Sequence, residues 1–445
     1  MKKLVLCLML LAGSWALPAQ TDRHVVLISL DGFPARSLRD PSLPLPVLRQ
    51  LIREGAVADA LEPVNPTITW PNHTAMVTGA TAARHGILFN GLSVRPGEGK
   101  PLRVDPWVPK NELVQVKTVY DAAHDAGLTV AEVDWVAIHQ AASVTWSFAE
   151  VPRAEGVVER EMVAAGALTA EELQAFPKDP ITMKDEIWTR AAVHIIEKHK
   201  PNLLLFHLLT TDSVQHRYGA DSLAANTALI LADRQAQRIL DALDRAGIRR
   251  RTTVLVVSDH GFKTYQHLIR ANVVLREKGL LRDDGGQVDC DAWVMAEGGT
   301  ALVYVTRESK REATLEVLRD AFSHVPGIAK VILPPEYAAY GYPAPVPQGR
   351  MADMVLAAAS GYAFDPATKG EVTADVPPGA TPGNHGYLNT DPDMEAILVA
   401  SGAGIRPGAH VAALPNTAVA GIIAQLLQLN FEPPPGAPRG CPFCQ

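Results

Sequence analysis

Three aspartates and three histidines fall where a polypeptide can gather reactive groups. Asp31 follows directly on the apolar run HVVLISL (24–30), in LISLDGF. Asp212 comes soon after NLLLFHLL (202–209), in HLLTTDSVQHRYG, and His216 stands four residues on, so a helical turn sets both side chains on one face. Asp259 and His260 follow TTVLVVS (252–258) in VVSDHGF, while His385 lies in GNHGY, ahead of a fourth run, MEAILVA (394–400). Open α/β sheets place their sites beyond the carboxyl ends of strands. Three carboxylates and three imidazoles gathered there suit two borderline divalent cations, and zinc best matches mixed nitrogen and oxygen ligation. Each residue has a plainer use when taken singly: an aspartate after a strand caps a helix, and a histidine packs or faces solvent. Their joint placement points to a metal centre.

The stretch NPTITWPNH (65–73) adds two threonines just ahead of an apolar helical run. Threonine is a poor nucleophile unless its proton is taken or its alkoxide is stabilised. Two cations a few ångströms apart do the second, and hold a phosphoryl oxygen as well. Thr69 is nearer the helical run NHTAMVTG, with Pro71 suited to the first turn, and a helix N-terminus favours an anion. Thr67 reads as a strand-end residue.

The four apolar runs are nearly continuous, as in strands covered on both faces, which predicts a mostly parallel sheet flanked by helices. Helical patterns lie at 45–53, 115–126, 184–199, 223–246, 309–323 and 416–428. The stretches 136–182 and 265–380 are less periodic and richer in Pro and Gly, and are expected to be lids or inserted segments over one core spanning 20–430, with 431–445 as a tail.

The chain opens with two lysines, a short apolar run and then small residues, which predicts a signal peptide over 1–19 and export to the periplasm or the medium. The run is too short to span a bilayer, and no later segment approaches the required ~20 residues. Without Lys2 and Lys3 the chain has 39 basic and 48 acidic residues, a formal charge of −9, so binding to nucleic acid or anionic lipid is not favoured. Positive charge for an anionic substrate then has to come from metal. The terminal CPFCQ suits a local disulfide between Cys441 and Cys444, leaving Cys290 free.

Together, Asp31 in LDGF, Thr69 in TWPNHTAMVTG, HGILFNG, TDSVQHRYG, SDHGF and GNHGY resemble the alkaline phosphatase superfamily, and most closely its nucleotide pyrophosphatase/phosphodiesterase branch, in the right order over nearly the whole mature chain. The resemblance implies an alkaline-phosphatase-like core. It also implies one zinc on Asp212, His216 and His385, a second on Asp31, Asp259 and His260, and attack on phosphorus by Thr69 at the second zinc. Asn90, in LFNGL, would correspond to the asparagine that hydrogen-bonds a non-bridging phosphoryl oxygen; its plainer use is a turn before Gly91. The family often has Phe after the nucleophile where this chain has Trp70, whose indole is expected to stack on a nucleobase or else to plug the core.

Other members of the superfamily fit less well. Sulfatases need a Cys or Ser in a Cys/Ser-x-Pro-x-Arg context, which Thr69 and His73 do not supply. Monoesterases that use threonine carry a Lys-x-Arg pair in an insertion after the asparagine; between Asn90 and Thr211 there is none, and Arg153 stands alone. A phosphonoacetate hydrolase would need a cation for the substrate carboxylate, for which Lys263 is the candidate. A zinc-binding scaffold without turnover would have lost the nucleophile or a ligand, and neither is missing. The expectation is an exported two-zinc phosphodiesterase acting on small nucleotide phosphodiesters or phosphoanhydrides through a phospho-threonine.

Overall fold

The apolar runs become neighbouring strands. The computed structural model describes residues 22–445, so the leader expected over 1–19 lies outside the described residues. Eight strands form the main sheet: β1 (His24–Leu30), β2 (Ala56–Glu62), β3 (Val130–Val133), β4 (Trp146–Phe148), β5 (Leu203–Leu208), β6 (Thr252–Val257), β7 (Ala396–Gly402) and β8 (Ala409–Pro415). Their order is β8-β2-β7-β6-β1-β5-β3-β4, and β7 runs antiparallel to both neighbours while the other pairings are parallel.

Helices cover both faces, which is why the strands need no polar alternation. The main ones are α1 (Pro46–Glu54), α2 (Thr69–Thr78), α3 (Val119–Asp125), α4 (Val157–Ala164), α5 (Ile181–His199), α6 (Thr210–Tyr218), α7 (Leu223–Arg245) and α8 (Ala418–Leu427). Val26, Ile28 and Leu30 of β1 pack with α1, α5 and α7, whereas Val25 and Leu27 pack with α2, α3 and α8. Each fully buried Leu or Ile contributes about 1.5–3 kcal/mol, so the layered core fixes the register of the central strands.

The less periodic stretches differ from each other. Residues 136–182 close one edge of the core: β4 pairs with β3, and Phe148, Val158, Met162, Leu168 and Phe176 join the main core. A three-residue strand is too short to show period-2 alternation, which is why a lid was the natural expectation. Within 265–380, a four-stranded antiparallel sheet runs in the order Ala292–Ala296, Thr300–Val305, Met354–Ala358, Ile328–Ile332. It packs with helix Arg311–Ser323 around a core of its own. In the tail Cys441 and Cys444 form a disulfide, Phe443 is fully buried, and Cys290 is free and buried. Among the described residues no helix is long and apolar enough to cross a membrane.

Glu132 in β3 gives the fold a pH dependence. It is 2 % exposed, accepts hydrogen bonds from the Trp135 amide at 3.1 Å and from the Ser147 hydroxyl, and burial pushes its pKa up to about 7. An unfolded glutamate titrates near 4.3, so the neutral folded form stabilises fully below that pH, and this contribution is lost as pH rises to about 7. The loss is about 1.4 kcal/mol per pH unit, or about 4 kcal/mol in all. Glu132→Gln keeps the neutral shape. Its melting temperature should match wild type below pH 4 and exceed it at pH 8; a difference that stays constant with pH would refute this origin.

Candidate active site

Three adjacent strands deliver the acidic residues. Leu30 of β1 pairs with Leu208 of β5, and Ser29 pairs with Val257 of β6, so the residues that follow each strand emerge side by side. The Asp31 amide donates to Leu208 O at 3.0 Å, and the Gly32 amide to Asp259 Oδ1 at 3.1 Å. Gly32 turns the chain at φ 67°, where a Cβ would lie 2.9 Å from the Phe262 ring. Asp185, on α5, accepts from the Leu209 and Thr210 amides at 3.0 Å each and so caps α6, which carries Asp212 in its first turn and His216 one turn later.

The six predicted residues meet in one cluster. Ligand atoms of Asp212, His216 and His385 lie within 4.8 Å of one another, and so do those of Asp31, Asp212 and His260. Asp212 Oδ1 is 3.4 Å from His216 Nε2 and 3.6 Å from His385 Nε2. His260 Nε2 is 3.1 Å from Asp259 Oδ2 and 3.5 Å from Asp31 Oδ1. Each imidazole is anchored through Nδ1 to a backbone carbonyl: His216 to Gly383 at 3.2 Å, His260 to Gly261 at 3.1 Å and His385 to Thr67 at 3.1 Å. A carbonyl only accepts, so each Nδ1 carries a proton, and a ring without a second proton turns an Nε2 lone pair to the carboxylates. Asp31 Oδ1, Asp212 Oδ1, Asp259 Oδ2 and His260 Nε2 are buried without hydrogen-bond partners, the pattern of donors shaped for cations.

The charges in the cluster act on one another: burial lowers the His216 pKa, but the neighbouring Asp212 outweighs it and raises it above the usual imidazole value. Burial, then the charges of Asp259 and Asp212, raises the Asp31 pKa well above the carboxylate range. For Asp212, burial is outweighed by His216, His385 and His260, which lower its pKa. Burial, with His260 and His216 nearby, holds His385 well below the usual imidazole value and therefore neutral.

Two buried histidines escaped the sequence reading. His207, inside β5, lies with Nε2 2.9 Å from Asp31 Oδ2 and with Nδ1 3.0 Å from Asp134 O and 3.3 Å from Asp134 Oδ2. Its bonds to Asp134 and Asp31 outweigh burial and raise its pKa. His73 Nδ1 lies 2.9 Å from Thr69 O and 3.6 Å from Asp259 Oδ2. A histidine within LLLFHLL was the available signal for the first; for the second nothing local was, because Asp259 is remote in sequence.

Thr69 opens α2 and is 7 % exposed. Its loop touches both halves of the cluster, through Thr69 O at His73 and Thr67 O at His385. Thr67 itself lies beyond β2, buried in the loop, where its hydroxyl donates to Tyr387 O at 2.5 Å. Asn90 is exposed, and its Oδ1 accepts from the Trp70 amide at 3.0 Å, which leaves the side-chain NH2 able to donate elsewhere. Trp70 is only 8 % exposed and packs with Ile87, Leu113, Val114, Val136 and Ala137, leaving little indole face for a nucleobase. Lys263 is held by Asp391 at 2.6 Å and Asp393 at 3.5 Å, and Arg153 is exposed on the loop before α4.

The chain is similar to known proteins over most of its length. Residues 25–388 match the family model "Type I phosphodiesterase / nucleotide pyrophosphatase". The chain is 23 % identical to mouse ectonucleotide pyrophosphatase/phosphodiesterase family member 7, covering 95 % of this chain and 87 % of the relative. It is 25 % identical to an uncharacterized pyrophosphatase/phosphodiesterase of Schizosaccharomyces pombe, covering 94 % and 79 %. In fold it resembles human ectonucleotide pyrophosphatase/phosphodiesterase 5, with a TM-score of 0.69 at 20 % identity over 92 % of this chain and 96 % of that one. A structure of the murine protein 5, an inactive threonine-to-alanine variant in complex with AMP, gives 0.68 at 19 % identity, with the same coverage of both chains. With the match spanning most of its length, this chain belongs to the type I phosphodiesterase/nucleotide pyrophosphatase family of hydrolases.

Proposed function

We propose that the chain is an exported two-zinc phosphodiesterase that splits nucleotide phosphodiester or phosphoanhydride bonds through a covalent phospho-threonine at Thr69. The observation that carries this reading is the set of three imidazoles, each anchored at Nδ1, whose Nε2 atoms face carboxylate oxygens buried without partners. Asp212, His216 and His385 would hold one ion, and Asp31, Asp259 and His260 the other, beside Thr69. When bound, zinc favours the alkoxide over the hydroxyl and offsets charge on the phosphoryl oxygens. Thr69 Oγ1 forms a bond to phosphorus as the bond to the leaving group breaks; in the second half, water displaces Thr69 and restores its hydroxyl. The α2 N-terminus favours the anionic form of Thr69. The Asn90 NH2 donates to a non-bridging oxygen, its orientation set by the Trp70 amide.

A nucleotide substrate is supported by the AMP in the murine neighbour, and export by the leader and by the "ecto" in the relatives' names. The two aspartates on Lys263 remove the cation that a phosphonoacetate-type substrate would need.

Chelation should abolish hydrolysis and added zinc restore it, while His216→Ala and Asp259→Ala should lose bound metal together with rate. Full activity of a metal-free preparation would end the metal reading.

Without a Lys-x-Arg pair to meet the second negative charge, catalytic efficiency on an aryl diester should exceed that on the aryl monoester by ~100-fold or more, about 2.7 kcal/mol in the transition state. Equal or reversed efficiencies would refute the diesterase assignment.

Thr69→Ala should cut turnover by ~1000-fold or more at near-normal metal content, whereas Thr67→Ala should be mild. Burial predicts that Trp70→Ala lowers the melting temperature, by the ~3–5 kcal/mol of a truncated core Trp, and slows nucleotide and small aryl diesters alike. A loss confined to the nucleotide would instead make the indole a base platform.

A further inference from the structure

Glu161, His194 and His199 form another cluster with ligand chemistry, away from everything used above. Their donor atoms lie within 4.8 Å of one another. Glu161 comes from α4, and both histidines from the last turns of α5. Glu161 Oε2 is 2.6 Å from His199 Nε2 and 3.5 Å from His194 Nε2. His194 Nε2 is buried and makes no hydrogen bond, and burial lowers the His194 pKa, favouring the neutral ring. The His199 ring is stacked on Trp146, with centroids 4.4 Å apart at 21°, which fixes its direction. Lys198 Nζ holds the other carboxylate oxygen, Oε1, at 3.0 Å, so Oε2 is the oxygen turned to the two histidines.

The cluster is at the opposite end of the sheet from Asp31. α5 ends just before the amino end of β5, and the six residues of β5 separate the two ends by ~20 Å.

We propose that Glu161 Oε2, His194 Nε2 and His199 Nε2 form a structural zinc site, completed by water, that ties α4 to α5. Two imidazoles and one carboxylate with an open fourth position are a ligand set zinc takes readily. The ion would displace the proton shared between His199 and Glu161, and would give the His194 nitrogen the partner it lacks. The competing arrangement, an ion-pair network of Glu161 with Lys198 and His199, leaves that nitrogen unused.

The test compares full-length wild type with Glu161→Gln and with the double variant His194→Ala/His199→Ala. Each protein is stripped with chelator, dialysed against zinc, and measured for bound metal, hydrolysis and melting temperature. Both variants should hold one zinc equivalent fewer than wild type, keep hydrolytic activity, and lose part of the zinc-dependent rise in melting temperature. Should the double variant fail to fold, Glu161→Gln, which keeps the side-chain size, decides alone. Equal metal content in variant and wild type overturns the proposal, even with a lower melting temperature, because only the ion-pair network then remains. The readout is a difference of one equivalent, so its failure leaves the reading of the catalytic cluster unaffected.

Discussion

Three aspartates crowded where water cannot solvate them set the terms for the rest of the molecule. Asp31 and Asp259 are fully buried, and Asp212 stands beside them on α6. At an effective dielectric near 20, two unit charges 4 Å apart repel by about 4 kcal/mol, and loss of hydration adds to the cost. The protein's own offset is incomplete: His207, supported by Asp134, faces Asp31, and the Nε2 atoms of three imidazoles face the remaining oxygens. Divalent cations would supply the missing charge. A fold tolerates such a cluster only if the scaffold beneath it is stiff, and here the cluster rests on three adjacent strands of a sheet packed on both faces.

The nucleophile loop is held by polar contacts of a kind that cannot slip without leaving buried groups unpaired. Asn72, fully buried, donates to Pro66 O at 3.0 Å and Ile68 O at 2.9 Å, and accepts from the Val64 amide at 2.7 Å and from Asn416 Nδ2 at 2.8 Å. Breaking one such bond costs about 1–3 kcal/mol when the partner stays buried. Asn65 and Asn389 add a reciprocal pair at 2.8 Å in each direction, tying the loop to the segment after His385. The position of Thr69 is therefore set by Asn72 from within its own helix and by the GNHGY loop from outside. That places one constraint on the nucleophile and on His385 together.

Much of this was written locally in the chain. The runs 24–30, 202–209 and 252–258 become the three central strands within a residue at either end, because a strand covered on both faces has to be apolar throughout. Asp31, Asp212 and Asp259 were legible because each follows such a run, and His216 because four residues make a helical turn. The helical patterns at 45–53, 184–199 and 223–246 were legible for the same reason of period.

What the sequence could not state is which remote groups face each other. His207 looked like one more strand residue until the pairing of β1 with β5 set it beside Asp31, and His73 gained meaning only when the β6 end reached it. The three-residue β4 is a strand only because β3 offers it an edge, and Trp70 turned inward because Leu113, Val114 and Val136 surround it. The sequence alone determined the periods of burial and the chemical types at strand ends, since both depend on spacing within one element. Tertiary structure alone decided tautomers, pKa directions and exposure, since these depend on charges and apolar surfaces contributed by elements tens to hundreds of residues apart.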